Sequence, residues 1–238
     1  MEFLIITLFP QIFPPFFKTS IIGRAVKKKL IKVKIVNLKD FALNSRKTLK
    51  NSHKIVDDRP FGGGQGMVIR PDVALSAIVA AKKQSRKPTK TILLTPAGKL
   101  FNQKTAEKFA KFESLVIFCG HYEGVDERVA NFTNFQISAG DYILTGGETA
   151  AIVLIDSITR LIPQVLPKLT SEKESFANNL LAAPVYTRPV SFGSLQVPKI
   201  LLSGKKAEID KWKKRQRILK TKMIRPDLFE KYLKAGSS

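Results

Sequence analysis

A single cysteine, Cys119, stands among the 238 residues. No disulfide can close within the chain, which fits a reducing compartment. Acidic residues are also scarce. Nineteen Asp and Glu face forty-one Lys and Arg, a formal net charge of +22 and a pI near 10.2. Such a surface attracts polyanions, nucleic acid foremost; the competing reading is a generally basic composition. No apolar run approaches the ~18 residues of a membrane helix. The apolar start "MEFLIITLFPQIF" carries an early acid and no leading basic segment. It reads as a first strand and not as a signal peptide. No membrane partner and a cytoplasmic location are therefore expected. Internal repeats and low-complexity tracts are lacking too.

Two nucleotide fingerprints are also missing. "HKIVDDRPFGGGQGMVIRP" (53–71) packs Gly62, Gly63, Gly64 and Gly66 into five residues. A Walker loop would need a lysine and a hydroxyl directly after its last glycine, but Met67 and Val68 follow Gly66. A dinucleotide fingerprint needs G-x-G-x-x-G straight after a strand, and "GGGQG" is too short. What remains is a tight bend requiring positive φ.

What is present is an alternation. "FLIITLF" (3–9), "KVKIVNL" (32–38), "TILLT" (91–95), "SLVIFC" (114–119) and "FQIS" (135–138) read as strands. Residues 71–84, 103–112 and 148–162 carry helical periodicity. The order predicts an α/β fold, with a mostly parallel sheet covered on both faces. Near Pro163 the pattern changes. "PQVLPKLTSEKESF" (163–176) reads as a linker. Residues 1–162 would form one domain and 177–238 a smaller, helical, basic one. Residues 201–234 hold twelve Lys and Arg against four acids. Ile209, Trp212 and Leu219 recur there at roughly helical spacing and are expected to face a core.

Three loops at strand ends draw the functional reading, because ligands of open α/β sheets bind at the carboxyl ends of strands. They are "LLTPAGKLF" (93–101), "FCGHYEGVDERV" (118–129) and "ISAGDYILTGGETAA" (137–151). Each carries glycine where the chain turns, and together they could line one pocket.

At this point the chain resembles a family. "VDDRPFGGGQGMV", "TPAGKLF", "CGHYEGVDERV", "SAGDYILTGGE", "LIDSITRLIP", "YTRP" and "VPKILLSGKKAEIDKW" occur in this order, as in bacterial TrmD-type tRNA methyltransferases. The likeness runs from "LFPQIF" to "RPDLFEKYL". It implies a SPOUT fold with a deep trefoil knot plus a small helical C-terminal domain. It also implies S-adenosylmethionine as methyl donor, N1 of guanine 37 in tRNA as target, and a homodimer binding tRNA. Carried over residue by residue, the donor would touch Thr95, Pro96, Gly120, Tyr122 and Glu123. It would also touch Ser138, Ala139, Gly140, Asp141, Tyr142, Ile143, Leu144, Gly146 and Gly147. The glycine loop with Asp57, Asp58 and Arg59 would lie near the pocket and the subunit interface. Magnesium is the auxiliary ion the family implies, although no metal-ligand spacing is visible.

The chemistry needs a base, because guanine N1 carries a proton, and an electrophile on the neighbouring carbonyl oxygen. The family pattern puts the electrophile at Arg160. Its base is an aspartate of a D-S-F triplet; here the chain reads "ESF", with Glu174 at that place and Glu172 two residues before. A noncatalytic RNA-binding protein and a SPOUT enzyme with another target, such as a ribose hydroxyl, remain as alternatives. Donor consumption with tRNA and the identity of the modified nucleoside separate them.

Overall fold

The computed structural model describes residues 1–44, 54–167 and 174–236. They separate into two compact units, Met1–Leu166 and Pro167–Ser238.

The first unit is built on five parallel strands: β1 (Glu2–Thr7), β2 (Lys32–Asn37), β3 (Thr89–Leu100), β4 (Ser114–Cys119) and β5 (Phe135–Ser138). Their spatial order is β2-β1-β4-β3-β5. All five expected strands are present. Alternation of side chains along each strand feeds two separate cores. Phe3, Ile5, Leu115, Ile117 and Cys119 face one side. There they pack under α1 (Phe13–Lys18), α2 (Ser20–Lys27), α4 (Gln103–Phe109) and α5 (Gly147–Thr159). Leu4, Ile6, Val116 and Phe118 face the other side, under α3 (Pro71–Gln84). β1 and β4 are buried along their whole length, as continuous apolar runs between helix layers should be.

β3 is longer than the sequence suggests. It pairs with β5 through Leu94↔Ile137, departs, and returns so that Lys99 pairs with the same Ile137. Gly98 lies so close to the Gln136–Ile137 backbone that a Cβ would collide with it. The departure from β5 and return to it therefore require glycine there.

The second unit contains α6 (Lys206–Ile224), α7 (Pro226–Gly236) and a short hairpin pairing Phe192 with Leu195. Among the described residues its buried positions are Leu180, Thr221 and Leu228. The Thr221 hydroxyl accepts from the Leu181 amide at 2.9 Å, and Arg217 donates to the carbonyls of Leu181 and Ala177. The expected core stripe is corrected in part. Ile209 and Trp212 are half-buried, whereas Leu219 is exposed. It lies seven residues and about two turns beyond Trp212 on the same side of α6, where that side is open to solvent.

Candidate active site

The three loops meet at the carboxyl edge of the first unit's sheet and enclose a cavity of about 290 Å³. Such a volume is near the lower end of ligand sites, which run from roughly 300 Å³ upward. Thr95 and Pro96 come from the departing segment of β3; Gly120, Tyr122 and Glu123 follow β4. Ser138, Ala139, Gly140, Tyr142, Ile143, Leu144, Gly146 and Gly147 supply the wall between β5 and α5. Asp141 does not line it and is exposed.

Close backbone approach fixes this geometry. The Gly147 amide donates to the Gly120 carbonyl at 2.7 Å. A Cβ on Gly147 would lie 2.7 Å from Cys119 Cα. The 138–142 turn is tied internally: Ser138 Oγ donates to the Gly140 carbonyl at 3.0 Å, and the Tyr142 amide donates to the same oxygen.

Two residues that the sequence does not single out sit at the base of this arrangement. Glu148, in the first turn of α5, is buried and accepts from Thr7 Oγ1 at 2.7 Å. A carboxylate is favoured there by the helix dipole. His121 lines the cavity, its ring 4.8 Å from both Phe9 and Tyr122. Its buried Nδ1 has no hydrogen-bond partner among the described residues. Burial, and secondarily Glu148, push the Cys119 thiol well above its ordinary pKa, so it is no nucleophile at neutral pH. A fold-independent signal for Glu148 and His121 is weak, because three segments must meet before either acquires surroundings.

The glycine loop adjoins the cavity. Gly62, Gly63, Gly64 and Gly66 all have positive φ, as the tight bend demands. Backbone bonds stitch its end to the cavity wall: Glu123 N to Met67 O and Ile69 N to Gly124 O, each 3.0 Å. Tyr122 adopts φ +61, a conformation uncommon outside glycine and concentrated at functional sites. Burial, then the neighbouring Asp57 carboxylate, raise its phenol pKa. Asp58 instead pairs with Arg70 at 3.4 Å, and Arg59 is exposed.

The electrostatics of the cavity oppose those of the chain. Glu123, Asp126 and Glu127 line it, and no Lys or Arg does. Asp126 is held below the usual carboxylate range mainly by its hydrogen bonds from Arg128, at 2.8 Å. Arg160 closes α5 in the first unit and Glu174 belongs to the second. Both are half-buried. Glu172 lies outside the described residues. Among the described residues, no group of three or more His, Cys, Asp or Glu could hold a metal ion. Nor is any of their helices long and apolar enough to cross a membrane.

A doubly covered parallel sheet with a glycine-walled cavity at its carboxyl edge, where open α/β sheets bind their ligands, defines the α/β class of this protein. The model of the tRNA (guanine-1)-methyltransferase TrmD family matches residues 1–231, and the chain belongs to that family. It is 47% identical over 234 residues to the tRNA (guanine-N(1)-)-methyltransferase of Malacoplasma penetrans, covering 98% of this chain and 99% of the relative. The protein of the same name from Mycoplasma mycoides subsp. mycoides is 46% identical, with 97% and 92% covered. That from Clostridium perfringens is 46% identical, with 97% and 94% covered. The five-stranded sheet with C-terminal helices agrees with the SPOUT-type α/β fold expected of the family.

Proposed function

We propose that this chain transfers a methyl group from S-adenosylmethionine to N1 of guanine 37 in tRNA. The observation that carries the donor assignment is the cavity's charge. In a chain of formal charge +22, the lining holds three carboxylates and no cation. A phosphate-rich nucleotide would meet repulsion there, whereas a cationic sulfonium is attracted. When bound, S-adenosylmethionine supplies an electrophilic methyl group. The glycine-bearing loops would hold its adenosine by backbone contacts, with Tyr142, Ile143 and Leu144 as apolar wall.

The residues of this chain have three tasks. The Glu174 carboxylate would accept the N1 proton of guanine, freeing the lone pair for attack. The Arg160 guanidinium would stabilise negative charge building on the neighbouring carbonyl oxygen. The cavity walls hold the reactants in line, where positioning is worth most. Residues 1–162 would carry the donor site and 177–238 would hold tRNA, joined by the 163–176 linker in a cytoplasmic homodimer. The family's trefoil threading belongs to the same proposal.

The test is direct. Purified protein is incubated with S-adenosylmethionine and a tRNA transcript, and the digested nucleosides are weighed by mass spectrometry. The expected product is 1-methylguanosine, absent when guanine 37 is replaced by adenine. A 2′-O-methylated nucleoside, or no product at all, overturns the proposal.

A further inference from the structure

The edge of the sheet opposite the cavity has its own electrostatic character. Strand register places Lys32, Glu2, Ser114 and Thr89 in one row across β2, β1, β4 and β3. This row is the amino-terminal edge, about 20 Å of strand from the carboxyl end. Two cationic stretches converge on it: Lys28, Lys29 and Lys32 around the start of β2, and Arg86, Lys87 and Lys90 around the start of β3. All six are exposed. Their convergence is enforced by specific contacts. The Met1 ammonium donates to the Leu30 carbonyl at 2.9 Å. The Lys34 side chain, paired with Glu2 at 3.1 Å, also donates to the Gln84 carbonyl. Lys87 lies near enough to Met1 to help lower the pKa of its ammonium, after burial. The acids of this row and its turns are few: Glu2 is buried and already paired, leaving Glu113 exposed.

Helix dipoles account for part of this charge. α2 and α3 both end at this edge, and a helix carboxyl terminus favours a nearby cation. The effect fades within the last turn. Lys32, Arg86, Lys87 and Lys90 lie beyond the helices and need another reason. Clustering like charges costs self-repulsion, so the patch is compensated best by an external polyanion.

We propose that this amino-terminal edge is a second RNA-phosphate contact surface, gripping the tRNA backbone at a distance from the methylated base. The inference rests on tRNA being the substrate. It gives the chain two opposed electrostatic sites: an acidic cavity for the donor and a basic edge for phosphates.

The test uses the full-length triple variant Lys28→Gln/Arg86→Gln/Lys87→Gln, since all three side chains are exposed. Affinity for full-length tRNA is measured against salt. Each lost phosphate contact should flatten the log–log slope by roughly 0.7–0.9, so about 2–3 in all. Affinity at physiological salt should fall tenfold or more, with donor affinity and kcat at saturating tRNA unchanged. A minimal hairpin carrying the target guanine, too short to span to this edge, should bind both proteins alike. Equal losses on both RNAs would show that only net charge had changed, which overturns the proposal, as does an unaltered slope. It is likewise overturned if the substitutions abolish binding to phosphatidylglycerol vesicles while tRNA affinity stays the same. A wild-type protein that methylates no tRNA refutes the parent reading instead; an active wild type with an insensitive variant refutes this one alone.

Discussion

A methyl group on Gly147 would fall 2.7 Å from Cys119 Cα and 2.8 Å from the Gly120 nitrogen. Both are backbone atoms and cannot swing aside. Gly147→Ala must therefore push the start of α5 off the end of β4 and open the cavity. A folded variant, checked by circular dichroism, should bind S-adenosylmethionine at least tenfold more weakly in calorimetry; unchanged affinity would refute the donor site. Glu174→Gln keeps the shape and removes the base. It should slow single-turnover methyl transfer by roughly 100-fold, with Glu172→Gln much milder; the reverse order would move the base to Glu172. Cys119 offers a pH test. Unfolded, a thiol ionises near pH 8.5; folded, this one stays protonated well above that. Its contribution to stability is thus complete below about pH 8 and lost as pH rises further. Thermal melts from pH 7 to 10 should fall more steeply in the wild type than in Cys119→Ala, and parallel curves would contradict the assignment. At this scale the glycine-bearing loops were readable, because a turn at a strand end is a local demand. His121 and Glu148 were not: Thr7, Gly120 and Gly146 come from distant parts of the chain, and only folding joins them. Asp141 was carried over with its neighbours from the family resemblance; it does not line the cavity and is exposed.

Elements divided along the same physical line. The five strands were legible because buried parallel strands are continuous β-branched and aromatic runs. α3 matches its expected span from Pro71 to Gln84, with proline at the first helical position. α1 and α2 were missed. Pro14 and Pro15 look like breakers, and α2 spans only eight residues, too few to display a period. The strand order β2-β1-β4-β3-β5 and the double pairing of Ile137 are tertiary choices that no local pattern encodes. In the second unit, Arg217 and Thr221 of α6 bond the 177–181 segment, and among the described residues the buried apolar ones are Leu180 and Leu228. Thr221→Val keeps the volume and orphans the Leu181 amide, costing about 1–2 kcal/mol. For a unit of this size each kcal/mol is worth roughly 4–8 °C. Calorimetric scans should show the corresponding drop in the transition of the second unit, with S-adenosylmethionine affinity unchanged. No shift would mean that these hydrogen bonds do not hold the helix.

For the whole molecule, charge and exposed apolar surface pull in opposite directions, and salt separates them. At the cavity Ile143 is 82% exposed, with Tyr122 and Tyr142 near half, and Phe61 at the start of the glycine loop is fully exposed. Apolar surface gathered beside a functional site marks an interface, which supports the proposed homodimer. Yet each protomer carries +22, so pairing two of them meets long-range repulsion. Raising salt from about 0.1 M to 1 M shortens the Debye length from ~10 Å to ~3 Å and removes most of that repulsion. Apolar burial is not weakened by the same change. Self-association should therefore strengthen with salt, while tRNA binding, driven by counterion release, weakens. Sedimentation equilibrium at low and high salt measures the first trend and filter binding the second. Ile143→Lys should shift the association equilibrium toward monomer by at least tenfold, since it places a charge in the apolar patch. A protein that stays monomeric at high micromolar concentration in either salt would refute the dimer. A dimer that weakens as salt rises would show that ion pairs, and not this apolar rim, hold it together.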